Sequence, residues 1–477
     1  MHSLDLAVIV LYLIGITLFG ARFKSSQKTL KDYFLGGRNT PWWAIAFSIV
    51  SAETSTLTVI GTPAISFGGN FGFLQVVAGY LLARVVISML FLPHYFRGEM
   101  FTAYELMQRR FGPRIRKLTA GSFLILRAMA EGVRVFAISI VVSIILGTGE
   151  VSSIILIVCL TLFYTFEGGM TAVIWTDVVQ MFLYVAGAIL SLFVILGKIQ
   201  GGWEHVAAVA HAADKFQVFD FSFDFTKPYT FIGGFLGGCF LTTASHGTEQ
   251  LMVQRLLAAK NERESRLALF SSWGVIAFQF TLFLVIGLIL YVYYGDGNIP
   301  VPKKLDRIYP QFIWDNLPPG IAGLTIAAIL AAAMSNLSAA LNALSSTTIM
   351  DFLKPMSKIQ RSEEEYLKLA KWATVGWGIV LFLIGLVAKK VDSVLEAGLS
   401  IASIVYGALL GVFILGILTK RVGEAAAMCG MTVGLLLMFY VKFGTPIAWT
   451  WYVLIGSSAT FVVGLLSSYV LREKQNV

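Results

Sequence analysis

Apolar residues occur in long runs along the chain, and short polar connections separate these runs. A helix needs about 20 mainly apolar residues to cross a lipid bilayer, and the runs reach that length. The pattern therefore predicts an all-α integral membrane protein with about 13 transmembrane helices. Their approximate ranges are 3–22, 41–68, 70–96, 118–147, 151–166, 171–197, 229–257, 267–294, 319–350, 368–388, 393–418, 423–442 and 447–470.

Composition supports this interpretation. Hydrophobic residues make up 57% of the 477 positions and charged residues only 13%, with a mean hydropathy of +0.77. Soluble domains contain about a quarter charged residues, so the lipid bilayer is the expected solvent. No polar linker divides the chain, and we expect one membrane domain over residues 1–477.

Basic residues predict the orientation of this domain. The chain carries 36 Lys and Arg against 27 Asp and Glu, and most of the basic residues fall in alternate connections, such as 97–117 and 255–266. The positive-inside rule assigns these connections to the cytoplasm. We therefore expect a multi-pass protein of the cell (inner) membrane with its N-terminus outside and its C-terminus cytoplasmic. The same distribution explains the net charge of +9 without a nucleic-acid partner.

Polar residues interrupt two of the predicted spans near their middles. The second span carries the stretch 51–56 (SAETST), and the seventh carries 242–249 (TTASHGTE). A charge at the bilayer centre costs about 3 kcal/mol or more, but such stretches are tolerated where a helix unwinds beside a watery cavity. The interruptions are five spans apart, and an odd spacing inverts the second block. Paired broken helices of this kind indicate an alternating-access transporter. Two unrelated polar packing patches are the alternative.

Charged residues within the predicted spans point to the solute. Arg127, Glu131 and Arg134 share one face of the fourth span, and Arg84 lies in the third. With Glu53, they leave a positive surplus, which favours an anionic or zwitterionic solute because a guanidinium matches a carboxylate. An ion-pair network that only holds helices together is the alternative.

Oxygen-bearing side chains in two further spans suit a small cation. Asp177 lies near the start of the sixth span, and the ninth carries a face of small and polar residues that includes Ala332, Ser335, Asn336 and Ser338. Sodium is a hard cation that takes oxygen ligands, including carbonyls freed by a helix break. Close helix packing through small residues is the alternative.

Several motifs together resemble the sodium/solute symporter family. These are the segments 32–44 (DYFLGGRNTPWWA), 167–180 (EGGMTAVIWTDVVQ), 254–260 (QRLLAAK) and 331–351. The resemblance covers nearly the whole chain, and the family includes bacterial proline, galactose and sialic acid symporters. It implies a LeuT-like inverted five-plus-five repeat, with residues 1–40 as an extra N-terminal helix and loop, 41–197 and 229–418 as the repeats, and 423–470 as two extra helices.

The resemblance also implies a shared sodium site. Its ligands would be the backbone carbonyls of Ser51, Thr54 and Ala332 and the hydroxyl of Ser335, with the amide of Asn336 standing where many members have a serine. Asp177 and Ser338 match a second sodium site of some members, although Ala339 replaces a serine ligand there. Sodium is thus the expected coupling ion.

The expected function is sodium-coupled symport of a small polar organic solute that bears a carboxylate, such as an amino acid, a monocarboxylate or a sialic-acid-like compound. Sugar symport is an alternative, disfavoured because Ile276 replaces the lysine of sugar-transporting members and only Gln279 is near. A passive channel, a sensor or a membrane enzyme remain as other classes, but no H-E-x-x-H or paired aspartate-rich motif is present. We expect no enzyme activity and a functional monomer. The candidate solute-binding residues are Glu53, Ser55, Arg84, Glu131, Arg134, Ser245, His246, Thr248 and Glu249.

Overall fold

The computed structural model describes residues 3–23, 28–98, 100–146, 149–302, 305–357, 361–387 and 394–471, and the regular structure in these ranges is helical. The first ten helices are α1 (Ser3–Ala21), α2 (Leu30–Leu35), α3 (Trp42–Glu53), α4 (Thr56–Gly68), α5 (Leu74–Val86), α6 (Leu92–Tyr95), α7 (Ala103–Arg110), α8 (Pro113–Leu146), α9 (Glu150–Gly197) and α10 (Gly202–Ala212). The other ten are α11 (Phe231–Gly247), α12 (Gln250–Leu257), α13 (Glu262–Asp296), α14 (Ile308–Asn316), α15 (Ile321–Thr347), α16 (Lys354–Met356), α17 (Glu363–Val387), α18 (Val394–Leu418), α19 (Glu424–Gly444) and α20 (Tyr452–Val470).

Membrane-spanning length is reached by eight helices of the described ranges, or by nine when a bent pair counts as one span. The helix α9 is broken inside at Gly169, whose φ of 53° lies in the left-handed region that favours glycine. This break separates the predicted spans 151–166 and 171–197. The predicted boundary between the tenth and eleventh spans falls on residues 388–393, outside the described ranges, and the count of 13 stays a prediction.

Both polar interruptions are breaks in the helical path. The helix α3 ends at Glu53 and α4 begins at Thr56, with an angle of 61° between the two segments. Ser55 caps α4, because its hydroxyl accepts the Thr58 N–H while its own N–H donates to the Thr58 hydroxyl. The second break lies between the end of α11 at Gly247 and the start of α12 at Gln250. The two stretches predicted to leave the regular helix do so.

Small residues bring the helices around these breaks close together. A Cβ atom on Gly79 of α5 would lie 2.1 Å from the Phe235 carbonyl oxygen of α11, and one on Gly238 of α11 would lie 2.1 Å from the Val76 carbonyl oxygen of α5. Glycine is therefore required on both sides of this contact, as in many membrane helix pairs. The helix α15 is the central one: it packs against α1, α8 and α9 and is buried almost throughout.

Candidate functional site

The break between α3 and α4 faces α15, and hydroxyl groups join the two. The Oγ atoms of Ser51 and Ser335 are 2.8 Å apart, and the Ser335 hydroxyl also donates to Asp177 Oδ1 at 2.7 Å. All three residues are fully buried. The structure thus brings together two residues of the predicted shared sodium site and the aspartate of the predicted second site.

Asn336 contacts the carbonyl groups expected to bind sodium. Its Nδ2 donates to the Thr54 carbonyl oxygen at 2.7 Å and to the Ser51 carbonyl oxygen at 3.4 Å. The backbone of Ala332 lies one helical turn earlier on α15. The chemistry of this set fits sodium, since it offers hydroxyl and carbonyl oxygens, but the Asn336 amide must rotate to present its oxygen to a cation.

Asp177 has an ion-pair partner that the sequence analysis assigned elsewhere. Its Oδ2 accepts the Arg255 Nη2 at 2.8 Å and the Ser48 hydroxyl at 2.5 Å. Arg255 belongs to the basic residues that the sequence predicts to be cytoplasmic, and the structure buries its side chain in the protein interior at α12. Ser338 donates to the Ser335 carbonyl oxygen at 2.9 Å, so its hydroxyl is used within its own helix and not by Asp177.

A cavity of about 580 Å³ lies beside the two breaks. Five of the predicted solute-binding residues on the breaks line it: Glu53, Ser55, Ser245, His246 and Glu249. Aromatic side chains surround the same space, namely Phe73, Tyr80, Tyr229, Phe280, Tyr406, Trp449 and Tyr452. Such a mixture of apolar walls and a few polar groups is typical of small-molecule sites.

Arginine and glutamate side chains form a network at one wall of the cavity. Arg127 pairs with Glu131 at 2.6 Å and with Glu249 Oε1 at 3.2 Å, and Tyr406 donates its hydroxyl to Glu249 Oε2. Arg134 Nη1 donates to Glu131 at 2.5 Å. The network therefore contains the helix-holding ion pairs that the sequence analysis left open as an alternative.

Arg134 has more unused donors than Arg127, whose Nη1 and Nη2 both pair with glutamates and whose Nε alone lacks an acceptor in the described part of the chain. The Nε of Arg134 is buried without an acceptor, and within the described ranges its Nη2 also donates to none, while 20% of the side chain is exposed and lines the cavity. Nε and Nη2 form one edge of the planar guanidinium, and this edge matches the two oxygens of a carboxylate. The arrangement leaves Arg134 able to bind an anion while it stays paired with Glu131.

Glu53 lies at the end of α3 and is held from one side. Its Oε2 accepts Arg84 Nη2 at 2.9 Å and lies 3.4 Å from His246 Nε2. The Nδ1 of His246 lies 2.8 Å from the Ser245 hydroxyl. Both helix breaks thus contribute to one polar cluster at the cavity wall.

Three predicted solute-binding residues do not reach the cavity. Arg84 is fully buried, and its guanidinium donates to Glu53, to the Ser272 hydroxyl and to backbone carbonyls. Glu131 is 1% exposed and serves as the counter-ion of two arginines. Thr248 is also buried, since its hydroxyl donates to the Ala244 carbonyl at 2.7 Å where α11 ends.

Sequence reasoning missed two polar side chains at this site. Gln279 of α13 donates its Nε2 to the Thr54 hydroxyl at 2.6 Å, next to the first break. Tyr406 of α18 contacts Glu249, as described above. The sequence singles out Gln279 only for its place near Ile276, where sugar-transporting members have a lysine, and a tyrosine in an apolar run carries no signal of its own. Polarity deep within a predicted span was the available clue for Gln279.

Buried hydrogen bonds close the other side of the breaks. Gln254 of α12 donates to the Asn342 side chain and to the Phe34 carbonyl, each at 2.7 Å. Further along, Arg116 and Thr102 both donate to Asp351 at 2.7 Å. Arg116 was also assigned to a cytoplasmic connection, but it is 8% exposed and lies in this closed layer.

Comparisons with known proteins identify the family of the chain. The family model "Sodium:solute symporter family" matches residues 33–434. The sodium/sialic acid symporter SiaT of Proteus mirabilis is 31% identical, over 98% of this chain and 95% of that protein. Sodium-coupled monocarboxylate transporter 2 of Bos taurus is 29% identical, over 92% of this chain and 72% of that protein.

Solved structures show the same fold. The chain matches a substrate-bound, outward-open Na+-coupled sialic acid symporter with a TM-score of 0.90 and 28% identity, over 100% of both chains. Mhp1, a nucleobase-cation-symport-1 transporter, matches with a TM-score of 0.58 and 14% identity, which supports the fold alone. The LeuT-like fold, the multi-pass membrane location and sodium-coupled symport, all expected from the sequence, are confirmed. The chain belongs to the sodium:solute symporter family.

Proposed function

We propose that the chain takes up a small polar organic solute bearing a carboxylate, which binds in the cavity at the helix breaks. The observation that carries the proposal is the free Nε–Nη2 edge of Arg134 at the cavity wall. Buried donors without acceptors are uncommon, because each costs about 1–3 kcal/mol, so a ligand that satisfies them gains correspondingly. Ser55, Ser245 and Glu249 line the same cavity and complete the polar lining.

The relatives favour the same solute class. Sialic acid and monocarboxylates both carry a carboxylate, and the similar proteins are named for transport of these compounds. The absence of the lysine found in sugar-transporting members argues against sugar symport. We also propose that the protein works as a monomer in the cell membrane and has no enzymatic activity.

The proposed sodium site is formed by the carbonyls of Ser51, Thr54 and Ala332, the Ser335 hydroxyl and the Asn336 amide oxygen. What supports it is the clustering of these groups where α3 ends against α15. Asp177 and Ser338 would serve a second ion, and for this second site the Ser338 hydroxyl has to leave its own helix. The proposal keeps 41–197 and 229–418 as the inverted repeats.

The proposed coupling follows from the position of the breaks between the two ligands. The cavity reaches Pro228, in a connection predicted to be extracellular, and Lys442 and Trp449, at the ends of the two spans that flank another such connection, while the layer around Gln254 is closed. With the N-terminus outside, this is an outward-facing form. Sodium holds the α3–α4 break against α15, and the solute binds the same break from the cavity. Each ligand then raises the affinity for the other.

A thermal-shift screen of purified protein tests the proposal. Sialic acid, lactate and proline are each added with sodium and with choline in its place. We expect at least one carboxylate to stabilise the protein only with sodium, and Arg134→Ala to weaken its binding by about 10–100-fold, the loss of one or two charge-assisted hydrogen bonds. Arg266→Ala is the matched control, since this exposed arginine pairs with Glu262 outside the cavity. Unchanged affinity in Arg134→Ala would refute the carboxylate assignment.

A further inference from the structure

The two carboxylates that line the cavity differ in how their oxygens are used. Glu249 is saturated, because Oε1 pairs with Arg127 and Oε2 accepts the Tyr406 hydroxyl. Both neighbours of Glu53 lie at Oε2, which accepts a hydrogen bond from Arg84 and is 3.4 Å from His246 Nε2. Among the residues that the structure describes, none donates to Glu53 Oε1. The side chain is 11% exposed, so Glu53 presents an unsaturated carboxylate oxygen to the cavity.

The orientation of this carboxylate is fixed from behind. Arg84 is immobilised by hydrogen bonds to the Tyr80 and Leu269 carbonyls and to Ser272, and its Nη2 holds Glu53 Oε2. His246 approaches the same oxygen from the second helix break. Since both neighbours hold Oε2, Oε1 is left for a ligand. Arg84 and His246 act here as positioning residues.

We propose that the solute carries a protonated amino group in addition to its carboxylate, and that Glu53 Oε1 accepts a hydrogen bond from it. This inference rests on the proposed function, in which Arg134 binds the carboxylate. A carboxylate oxygen only accepts hydrogen bonds, and its strongest partners are cationic N–H donors. The solute class is therefore a zwitterion, such as an amino acid.

Two further features favour an ammonium group over the other donors. Tyr80 and Phe280 line the same cavity with ring centroids 6.4 Å apart, and aromatic faces attract organic cations. Sodium needs several oxygen ligands, whereas the polar side-chain groups that contact Glu53, on Arg84 and His246, are nitrogens. A neutral hydroxyl group could donate to Oε1 but would leave the carboxylate charge without a partner on the cavity side.

The test uses matched pairs of probes that differ only in the amino group. Proline is paired with cyclopentanecarboxylate, alanine with propionate and leucine with 4-methylpentanoate, and sialic acid is added as a carboxylate without a free amine. Dissociation constants are measured with sodium present. The wild type should bind at least one amino acid about ten-fold or more tightly than its partner acid. Glu53→Gln should abolish this preference while the affinity for the partner acid changes less than about three-fold.

Two further variants test the proposal even if Glu53→Gln is unstable. Glu53→Asp keeps the charge but withdraws it by one methylene, so it should reduce the preference only in part. Glu262→Gln, which changes an exposed carboxylate outside the cavity, should leave the preference intact.

Each outcome decides between the two proposals. If sialic acid or another amine-free acid binds with sodium and depends on Arg134, but no amino acid is preferred over its partner, the zwitterion is refuted and the proposed function stands. If Glu53→Gln retains the wild-type preference, Glu53 is not the amino subsite. If no carboxylate binds in a sodium-dependent way, both proposals fail.

Discussion

Two polar regions meet at the break between α3 and α4, and they differ in how their charges are satisfied. On the α15 side, both oxygens of Asp177 are taken, by Ser335 on one side and by Ser48 and Arg255 on the other, in full burial. On the cavity side, Arg134 keeps an unused edge and Glu53 an unused oxygen. The same break thus separates a saturated region from an unsaturated one.

This difference separates structural charges from recognition charges. A buried ion pair is costly to break, because removal of one partner leaves the charge of the other uncompensated in a region of low dielectric constant. A charge that keeps a free hydrogen-bonding edge at a cavity wall gains from a ligand instead. The comparison predicts that substitutions in the saturated region mainly affect folding and sodium binding, and those in the cavity mainly solute binding.

The largest effect is expected from Arg255→Met, which leaves Asp177 charged and buried. Breaking such a pair costs about 3–5 kcal/mol, so the variant should lose most of its folded yield and melt well below the wild type in detergent. Arg266→Met is the control: its pair with Glu262 is exposed, and such pairs contribute about 0–1 kcal/mol. The double variant Asp177→Asn/Arg255→Met should recover much of the loss. Wild-type stability of Arg255→Met would remove the distinction between the regions.

Ser335→Ala should come next, because this hydroxyl contacts both Ser51 and Asp177. A hydrogen bond to a charged group contributes about 1.5–3 kcal/mol, so sodium affinity should fall by about ten-fold or more while the fold persists. Sodium titration of thermal stability measures this. Ser345→Ala is the matched control and should change sodium affinity less than about two-fold, since its hydroxyl donates to the Ala370 carbonyl oxygen, outside both proposed sodium sites. An equal loss in both variants would contradict the assignment of Ser335 to the sodium site.

The smallest effect is expected from Thr248→Val. Its hydroxyl bonds to Ala244 away from the cavity, so solute affinity should stay within about two-fold and stability should fall by about 1 kcal/mol. Ser245→Ala provides the contrast because Ser245 lines the cavity, and it should weaken solute binding by about three-fold or more. Solute dissociation constants of the two variants decide the point. A larger loss of solute affinity in Thr248→Val than in Ser245→Ala would show that Thr248 belongs to the solute site.

The sequence predicted the helix breaks because hydroxyl, glycine and carboxylate residues are costly in a lipid-facing helix and are tolerated where the helix unwinds beside a cavity. It also predicted that Ser51, Thr54, Ser335 and Asn336 share a site, although the site's ion stays a prediction. The inference depended on local composition and on the family motifs, both of which are readable along the chain.

Partners across the bundle could not be predicted in the same way. Arg255 was assigned to the cytoplasm because it lies near a basic connection, yet it pairs with Asp177, which is 78 positions away. Arg84 was expected in the cavity, but helical spacing specifies a face and not the depth at which a long side chain ends. Arg134 has its Nε–Nη2 edge available because Glu131 accepts from Nη1, and the sequence does not specify which nitrogen pairs with this neighbour.

Uptake into proteoliposomes tests the central claim most directly. The carboxylate with the largest sodium-dependent thermal shift is supplied outside, with a sodium gradient directed inward. The account predicts accumulation above the external concentration, lost when choline replaces sodium or a sodium ionophore dissipates the gradient, and strongly reduced in Ser335→Ala. Equal uptake with and without the sodium gradient would contradict it.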